Sequence, residues 1–396
     1  MTTFIGRLQH IGLGKESVPG TAVAAAVWIP HDGQGGLKPK YETAKDDAAY
    51  GSIIGMRDQQ TVKEWTEILI ECVARHKYVG HFLQAAFGQS YPCVAMPIPG
   101  SITGTFVVGE TVTESTSSAT GVIRRLDVGG SSKVIYVSVT SGTFAGGGKT
   151  LTGGTSGATA VNGDIQAPGT VRSHIFSVLN NNTHPSYTIY GSDPQGDFRS
   201  LWAMLESLVI EATANNYLRI TAKFMGKKKV STTSQTPSYV EEYGFLGKFL
   251  TFKHATDFDG LDAASATKVE RFKITIKKNP VAYQAMGSTD LEAIYNQRFD
   301  VDGELDLKYD DTTWEGYVSA STKRAMRLTA VNTDATVGTT NPTLQFDLGQ
   351  VSFDEWDRDN NKDQIVRQSL KFTAELDDLR GTCLECLLTN DQVTAY

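Results

Sequence analysis

Residues 301–310 alternate strictly between two sets of side chains. Val301, Gly303, Leu305, Leu307 and Tyr309 fall on one parity, and Asp302, Glu304, Asp306, Lys308 and Asp310 on the other. A period of two sends such sets to opposite faces of a strand, so this segment reads as a half-buried antiparallel strand with an acidic exposed face. Phe346, Leu348, Val351 and Phe353, and then Leu370, Phe372 and Ala374, predict two more strands. LESLVIEATANNYLRITAKFMG (205–226) reads as a strand, a turn at Asn215-Asn216 and a return strand. Helical periodicity is scarce. Val79, Phe82, Leu83, Ala86 and Phe87 make one helical face and predict a helix over 76–87. A second, short helix is predicted after Ser288 in TDLEAIYNQ, with Ser288 as N-cap and Asp290 and Glu292 in its first turn. The class is mainly β, with one or two helices.

Composition shifts between 100 and 169. That segment holds 15 Gly and 21 Ser or Thr, while the rest of the chain shares 23 Gly. It also repeats itself. GTFVVGETVTESTSSATGV (104–122) matches GTFAGGGKTLTGGTSGATAV (142–161). A flexible linker has no reason to repeat Gly-Thr-Phe and Ala-Thr at matched positions, or to contain KVIYVSVT (133–140). A small β module is expected, inserted into another domain and projecting from it. The flanks suggest an older duplication. Residues 37–87 and 272–320 each run from a short basic strand to a longer strand with interleaved acids, then to an aromatic-led stretch. Residues 205–226 and 348–376 match as paired strands, the second with a longer turn at 357–363.

With 37 basic and 44 acidic residues the net charge is −7, which argues against a dedicated duplex-DNA binder. Four Cys exclude a disulfide scaffold. No run of about 18 apolar residues is present to cross a membrane as a helix. The opening MTTFIGRLQHIGLG lacks a secretory pattern, so folding in a reducing cytoplasm is expected.

The chemical motifs are weak. GGGKT (146–150) has Thr143 where a phosphate loop needs Gly, and no helix is expected after it. GLGKES (12–17) fails the same pattern and the dinucleotide one. Cys383 and Cys386 form a CxxC without two further ligands in range, so they read as strand-core cysteines. DRDNNKD (357–363) begins like a calcium loop, but Lys362 replaces its Gly and Gln368 its last acid. His76 and His81 are five apart, which is not a zinc spacing. No catalytic, cofactor-binding or metal residues are assigned, and no cofactor is expected. The basic clusters 227–229 and 277–278 suit either an acidic neighbouring subunit or solvated edge lysines.

The stretch QHIGLGKESVPGTAVAAAVWIP (9–30) resembles the opening of bacteriophage major tail proteins, the tail tube subunits. It carries the phrase Gly14-Lys15-Glu16, then Gly20-Thr21-Ala22, then Trp28-Ile29-Pro30. HPSYTIYG (184–191), AKFMGKKK (222–229) and DLGQVSFDEWDRDNNKDQIVRQSLKFTAELDD are similar to later blocks of that family. The likeness covers about 1–97 and 170–390, and not the Gly/Thr-rich module.

The resemblance implies tail-tube-type β-sandwich or half-barrel units, two in tandem, with one or two flanking helices. The first domain would comprise 1–99 and 170–235, the inserted module 100–169, and the second domain 236–396. It implies a structural virion protein, not an enzyme, assembled in the host cytoplasm. Copies would form rings, as a pseudo-hexameric trimer in preference to a hexamer, and rings would stack into a hollow tube. Partners would be the tape measure, tail tip and terminator proteins, with no membrane. DNA would pass through without specific binding. Residues 1–30 and 227–239 are expected to order against the next ring. Asp302, Glu304, Asp306 and Asp310, with Glu64, Glu67 and Glu71, are the candidate lumen-facing acids; ordinary outer-surface charges are the competing reading. A carbohydrate- or cell-surface-binding β module is the alternative function. A hydrolase would need a convergent acid, base or nucleophile set.

Overall fold

The structure, a computed structural model, describes residues 5–33, 35–49, 51–165, 170–362 and 364–396. In chain order the strands are β1 (Ile11–Lys15), β2 (Val27–Ile29), β3 (Gly36–Asp46), β4 (Asp58–Val73), β5 (Gly88–Ile98), β6 (Thr111–Glu114), β7 (Thr120–Asp127), β8 (Lys133–Ser141), β9 (Thr150–Gly153), β10 (Thr159–Val161), β11 (Arg172–Val178), β12 (Tyr187–Asp193), β13 (Gly196–Thr213), β14 (Arg219–Gly226), β15 (Val230–Ser231), β16 (Leu250–Ala255), β17 (Ala266–Thr267), β18 (Arg271–Lys277), β19 (Val281–Tyr283), β20 (Ala293–Tyr295), β21 (Asp300–Lys308), β22 (Arg324–Val331), β23 (Thr343–Asp359), β24 (Arg367–Glu375) and β25 (Leu384–Asn390). Helix α1 (Val79–Phe87) follows β4, and α2 (Thr313–Ser319) follows β21. The protein is mainly β, as its alternation predicts.

Eight strands form an antiparallel inner sheet in the order β3-β4-β14-β13-β18-β21-β24-β23. It consists of two four-strand runs with the same connectivity, β3-β4-β14-β13 and β18-β21-β24-β23, joined where β13 meets β18. The strands β13 and β23 are long because each serves two layers. The first part of β13 pairs with β12 in the outer layer, and its second part pairs with β14 and β18. Likewise β23 pairs first with β22 and β25, then with β24.

Between the layers lies one core. Ile68, Ile70, Leu208, Ile210, Ile220, Phe224, Ile274, Leu305 and Phe372 are all buried. Each such side chain contributes roughly 1.5–3 kcal/mol on burial. Helix α1 lies within this core. It ends at Gly88, whose φ of 90° is the left-handed cap that glycine supplies without strain. The predicted start at 76 is three residues early, since α1 begins at Val79.

The helix expected after Ser288 does not form. The Ser288 hydroxyl accepts the amide of Asp290 in a short local turn within the connection of the β19–β20 hairpin, and the chain continues into β20. Leu291 and Ile294 are apolar because that hairpin packs down on Met204. The second helix is α2 instead, with Trp314 against Phe353.

The Gly/Thr-rich segment is an ordered β module, β6 to β10 with β8. Its two repeats place matched residues in one small core: Phe106 with Phe144, Val112 with Leu151, and Ala119 with Ala158. The module does not project on a free stalk. Strand β8 pairs with β5, and Val94, Met96 and Ile98 of β5 share its core.

Candidate assembly surface

One face of the inner sheet covers the core, and the other is polar. On β21 the buried Val301, Leu305 and Leu307 alternate with the half-exposed Asp302, Glu304 and Asp306. The polar face alternates in sign strand by strand, apart from Glu42, Lys63, Lys308 and Glu375 near strand ends. Lys38 and Lys40 stand on β3, Glu67 and Glu71 on β4, Arg219 and Lys223 on β14, Glu206 and Glu211 on β13. Then come Arg271, Lys273 and Lys277 on β18, the three acids of β21, Arg367 and Lys371 on β24, and Glu355 and Asp357 on β23.

Cross-strand geometry turns this alternation into a lattice of ion pairs. Lys40 lies 3.4 Å from Glu67, and Lys223 lies 2.9 Å from Glu206 and 3.7 Å from Glu67. Arg271 bridges Glu211 at 2.6 Å and Glu304 at 3.0 Å. Lys273 reaches Glu304 at 3.2 Å, Lys277 reaches Asp302 at 2.7 Å and Lys371 reaches Glu355 at 2.7 Å. The hydrogen bond from Lys223 to Glu206 is the main cause holding that lysine above its ordinary pKa. Half-exposed pairs of this kind contribute only about 0–1 kcal/mol each. Their larger effect is to cancel charge locally.

Of the seven acids singled out in the sequence, five share the polar face and two do not, and the cations beside them were missed. Glu67 and Glu71 share the polar face with Asp302, Glu304 and Asp306. Glu64 has the other parity, in step with the buried Thr66 and Ile68, and pairs with Lys228 at 2.5 Å. Asp310 lies beyond the end of β21 and pairs with Lys308 at 2.7 Å. The basic clusters 227–229 and 277–278 are spent within the chain: Lys227 sits over Trp202, Lys229 pairs with Asp193 at 3.0 Å, and Lys278 is buried.

The inner sheet has two open edges. Among the described residues β3 pairs with β4 alone, and β23 beyond Ser352 pairs with β24 alone. Lys38, Pro39, Lys40, Glu355 and Asp357 are all exposed. Proline is tolerated at residue 39 because an edge strand can lack a donor. Beyond the sheet the β3–β4 hairpin continues as a free ribbon, with Ile53, Ile54 and Met56 exposed in its connection.

The module is fixed to the body by a buried ionic cluster. Arg125 of β7 is fully buried and bonds Asp127 at 2.9 Å and Asp347 of β23 at 2.5 Å, with Glu385 of β25 at 3.6 Å. Arg327 joins Asp347 at 2.5 Å and Asp262 at 2.6 Å. Burial opposes ionisation of Asp347, but the two guanidinium groups hold its pKa below the usual carboxylate value.

The weak motifs occupy ordinary structural positions. Gly146–Gly148 turn into a strand, β9, and Cys386 is buried in β25. Asp363 of the acidic turn lies outside the described residues. Among the described residues no three His, Cys, Asp or Glu side chains are gathered as a metal ion would require. No helix among them is long and apolar enough to cross a membrane.

Among the described residues the fold is two β layers with one polar sheet face and two open sheet edges. The chain matches the family model for phage tail tube proteins over residues 6–374, and it belongs to that family. The family is one of structural tail proteins, which makes the chain a virion tail component that assembles with itself and with other tail proteins. No curated protein sequence matches it.

Proposed function

We propose that copies of this chain join side by side through the open edges of the inner sheet into a closed ring, and that rings stack into the hollow tail tube. The observation that carries this reading is the eight-stranded sheet itself. Among the described residues it has one covered face, one free polar face and, at each end, a strand with one edge unpaired. Closing it on neighbours removes both edges, as barrels do.

The two equivalent runs support a tandem duplication. One tube-type domain comprises 1–99 and 170–235, the other 236–396, with the module at 100–169 inserted in the first. Three copies then supply as many inner strands as six single-run subunits, so a pseudo-sixfold trimer is the proposed ring. Other partners are the tape measure, tip and terminator proteins, and assembly takes place in the host cytoplasm.

The polar face lines the lumen in this arrangement, with Glu67, Glu71, Asp302, Glu304 and Asp306 among its residues. Most of its cations already have a carboxylate partner. A strand of DNA therefore finds few free lysines at which to release counterions, and it slides without specific binding. The sugar-binding alternative is disfavoured, because Phe106 and Phe144 are buried inside the module and Tyr136 packs against the cluster of Cys93, Ile175 and Leu387.

Electron microscopy of the concentrated full-length protein, viewed down the particle axis, tests the reading. Rings with a central hole and threefold averages are expected. Sixfold averages overturn the trimer. Compact monomers at every concentration, with purified tail-tip proteins added as initiators, overturn the ring.

A further inference from the structure

The chain already contains one junction of the kind a ring needs, because β13 of the first run pairs with β18 of the second. There Ser207 lies opposite Lys277, Val209 opposite Thr275 and Glu211 opposite Lys273. The runs correspond residue by residue. Leu205 faces Phe224, the register then slips by a bulge, and Ser207 faces Lys223. In the second run Phe353 faces Phe372, the same bulge follows, and Glu355 faces Lys371. Val73 opposite Arg219 becomes Lys308 opposite Arg367, and Leu37 opposite Ile68 becomes Ile274 opposite Gly303. Ser207 therefore corresponds to Glu355 and Val209 to Asp357, while Lys277 corresponds to Lys40 and Thr275 to Lys38.

We infer that β23 of one copy pairs antiparallel with β3 of the next in the register of the internal junction, setting Glu355 opposite Lys40 and Asp357 opposite Lys38. The inference rests on the ring reading and names its edges and its register. Transferring a register derived from backbone pairing alone brings two acids onto two lysines. Lys38 and Asp357 have no ion-pair partner among the described residues, and this seam supplies one to each. It also continues the strand-by-strand alternation of sign, since acidic β23 meets basic β3.

Other registers are worse. A slip of one residue sets Trp356, which shares the core side with Leu370, opposite Lys38 or Lys40 of the polar face, so the core faces of the two copies no longer lie on the same side. A slip of two toward the hairpin connection sets Glu355 against Glu42, and like charges directly opposite are destabilising. A slip of two the other way leaves Asp357 opposite Gly36. Pro39 lies opposite Trp356 at the proposed seam. It withholds one N–H, which discourages indiscriminate pairing at this edge.

Cysteine cross-linking of the full-length protein tests the register. Directly opposed residues come within about 4.5–5.5 Å, inside the disulfide range, while partners two residues out of register are about 7–8 Å apart. The Glu355→Cys/Lys40→Cys protein is expected to oxidise to covalent trimers under assembly conditions, and Glu355→Cys/Lys38→Cys is not. Cys72, Cys93 and Cys386 are buried, and the half-buried Cys383 is replaced by serine in every variant so that it does not compete. In parallel, Lys38→Glu/Lys40→Glu should melt like wild type yet lose assembly roughly tenfold or more, because like charges then meet across the seam. Adding Glu355→Lys/Asp357→Lys should restore it. Rings in which only the offset pair cross-links, or in which the charge swap restores nothing, overturn the register and leave the ring standing. Wild type that forms no rings overturns both.

Discussion

The two four-strand runs share strand order and even a bulge, but their first connections differ. In the first run the β3–β4 hairpin extends past the sheet, and Ile54 in its connection is 74% exposed. In the second run the chain between β18 and β21 folds back as the β19–β20 hairpin, and Leu291 there is 2% exposed. Its Ile294 carbonyl accepts the Trp202 indole N–H at 3.0 Å, and Gln284 Nε2 donates to the Val62 carbonyl at 2.6 Å. The difference teaches that the sheet does not decide how its connections are used. The second connection lies beside the first run and can pack on it. The first lies beside an open edge, and Ile53, Ile54 and Met56 in it stay exposed.

The strongest way to break this comparison is at the module's dock, which ties the insert of the first run to β23 and β25 of the second. Arg125→Ala leaves Asp127 buried without its paired cation and Glu385 with Arg380 alone, and should cost about 3–5 kcal/mol in urea unfolding. A loss below about 1 kcal/mol would mean that the module is held chiefly by the β5–β8 ladder. Leu291→Ala should cost about 2–5 kcal/mol in the same measurement. If it costs nothing, the folded-back hairpin is not anchored and the two connections are alike.

Acid should act through histidines carried by the first run and the outer layer beside it. Burial is the main cause pushing His81 and His174 from 6.5 down to about 4. The unfolded chain therefore binds protons first as pH falls. The stability from keeping these rings neutral is present above about pH 6.5 and is lost progressively toward pH 4. The melting temperature should fall between pH 7 and pH 5, and the fall should shrink in His174→Phe. An unchanged slope in that variant would exclude His174 as a contributor. The smallest effect on the single chain is expected from Ile53→Ser with Ile54→Ser, within about 0.5 kcal/mol of wild type by thermal unfolding. The same protein should form shorter tubes by electron microscopy if the ribbon meets the next copy; tubes of normal length would remove that role.

The strand pattern was legible because alternation is local. Val301 to Lys308 needs no partner to show its two faces. The cations of the polar face were not legible as a set, because Lys223, Arg271 and Lys273 reach their acids across strands whose register the chain does not print. Arg125 gave half a signal. It stands on the buried parity of β7 with Ile123, so a buried charge was readable there, but its partner Asp347 lies on a distant strand. The helix after Ser288 was misread because apolar residues buried under a folded-back hairpin imitate a helical face. Helix α2 spans only Thr313–Ser319, too short for periodicity to separate Trp314 and Tyr317 from strand residues.

The strands β13 and β23 run through both layers without interruption. A shell made of two separate sheets can relieve torsion by letting one slide over the other. Here a twist applied to one layer is carried along continuous covalent backbone into the other. In the proposed tube the wall would resist shear between its layers twice per subunit, at β13 and again at β23.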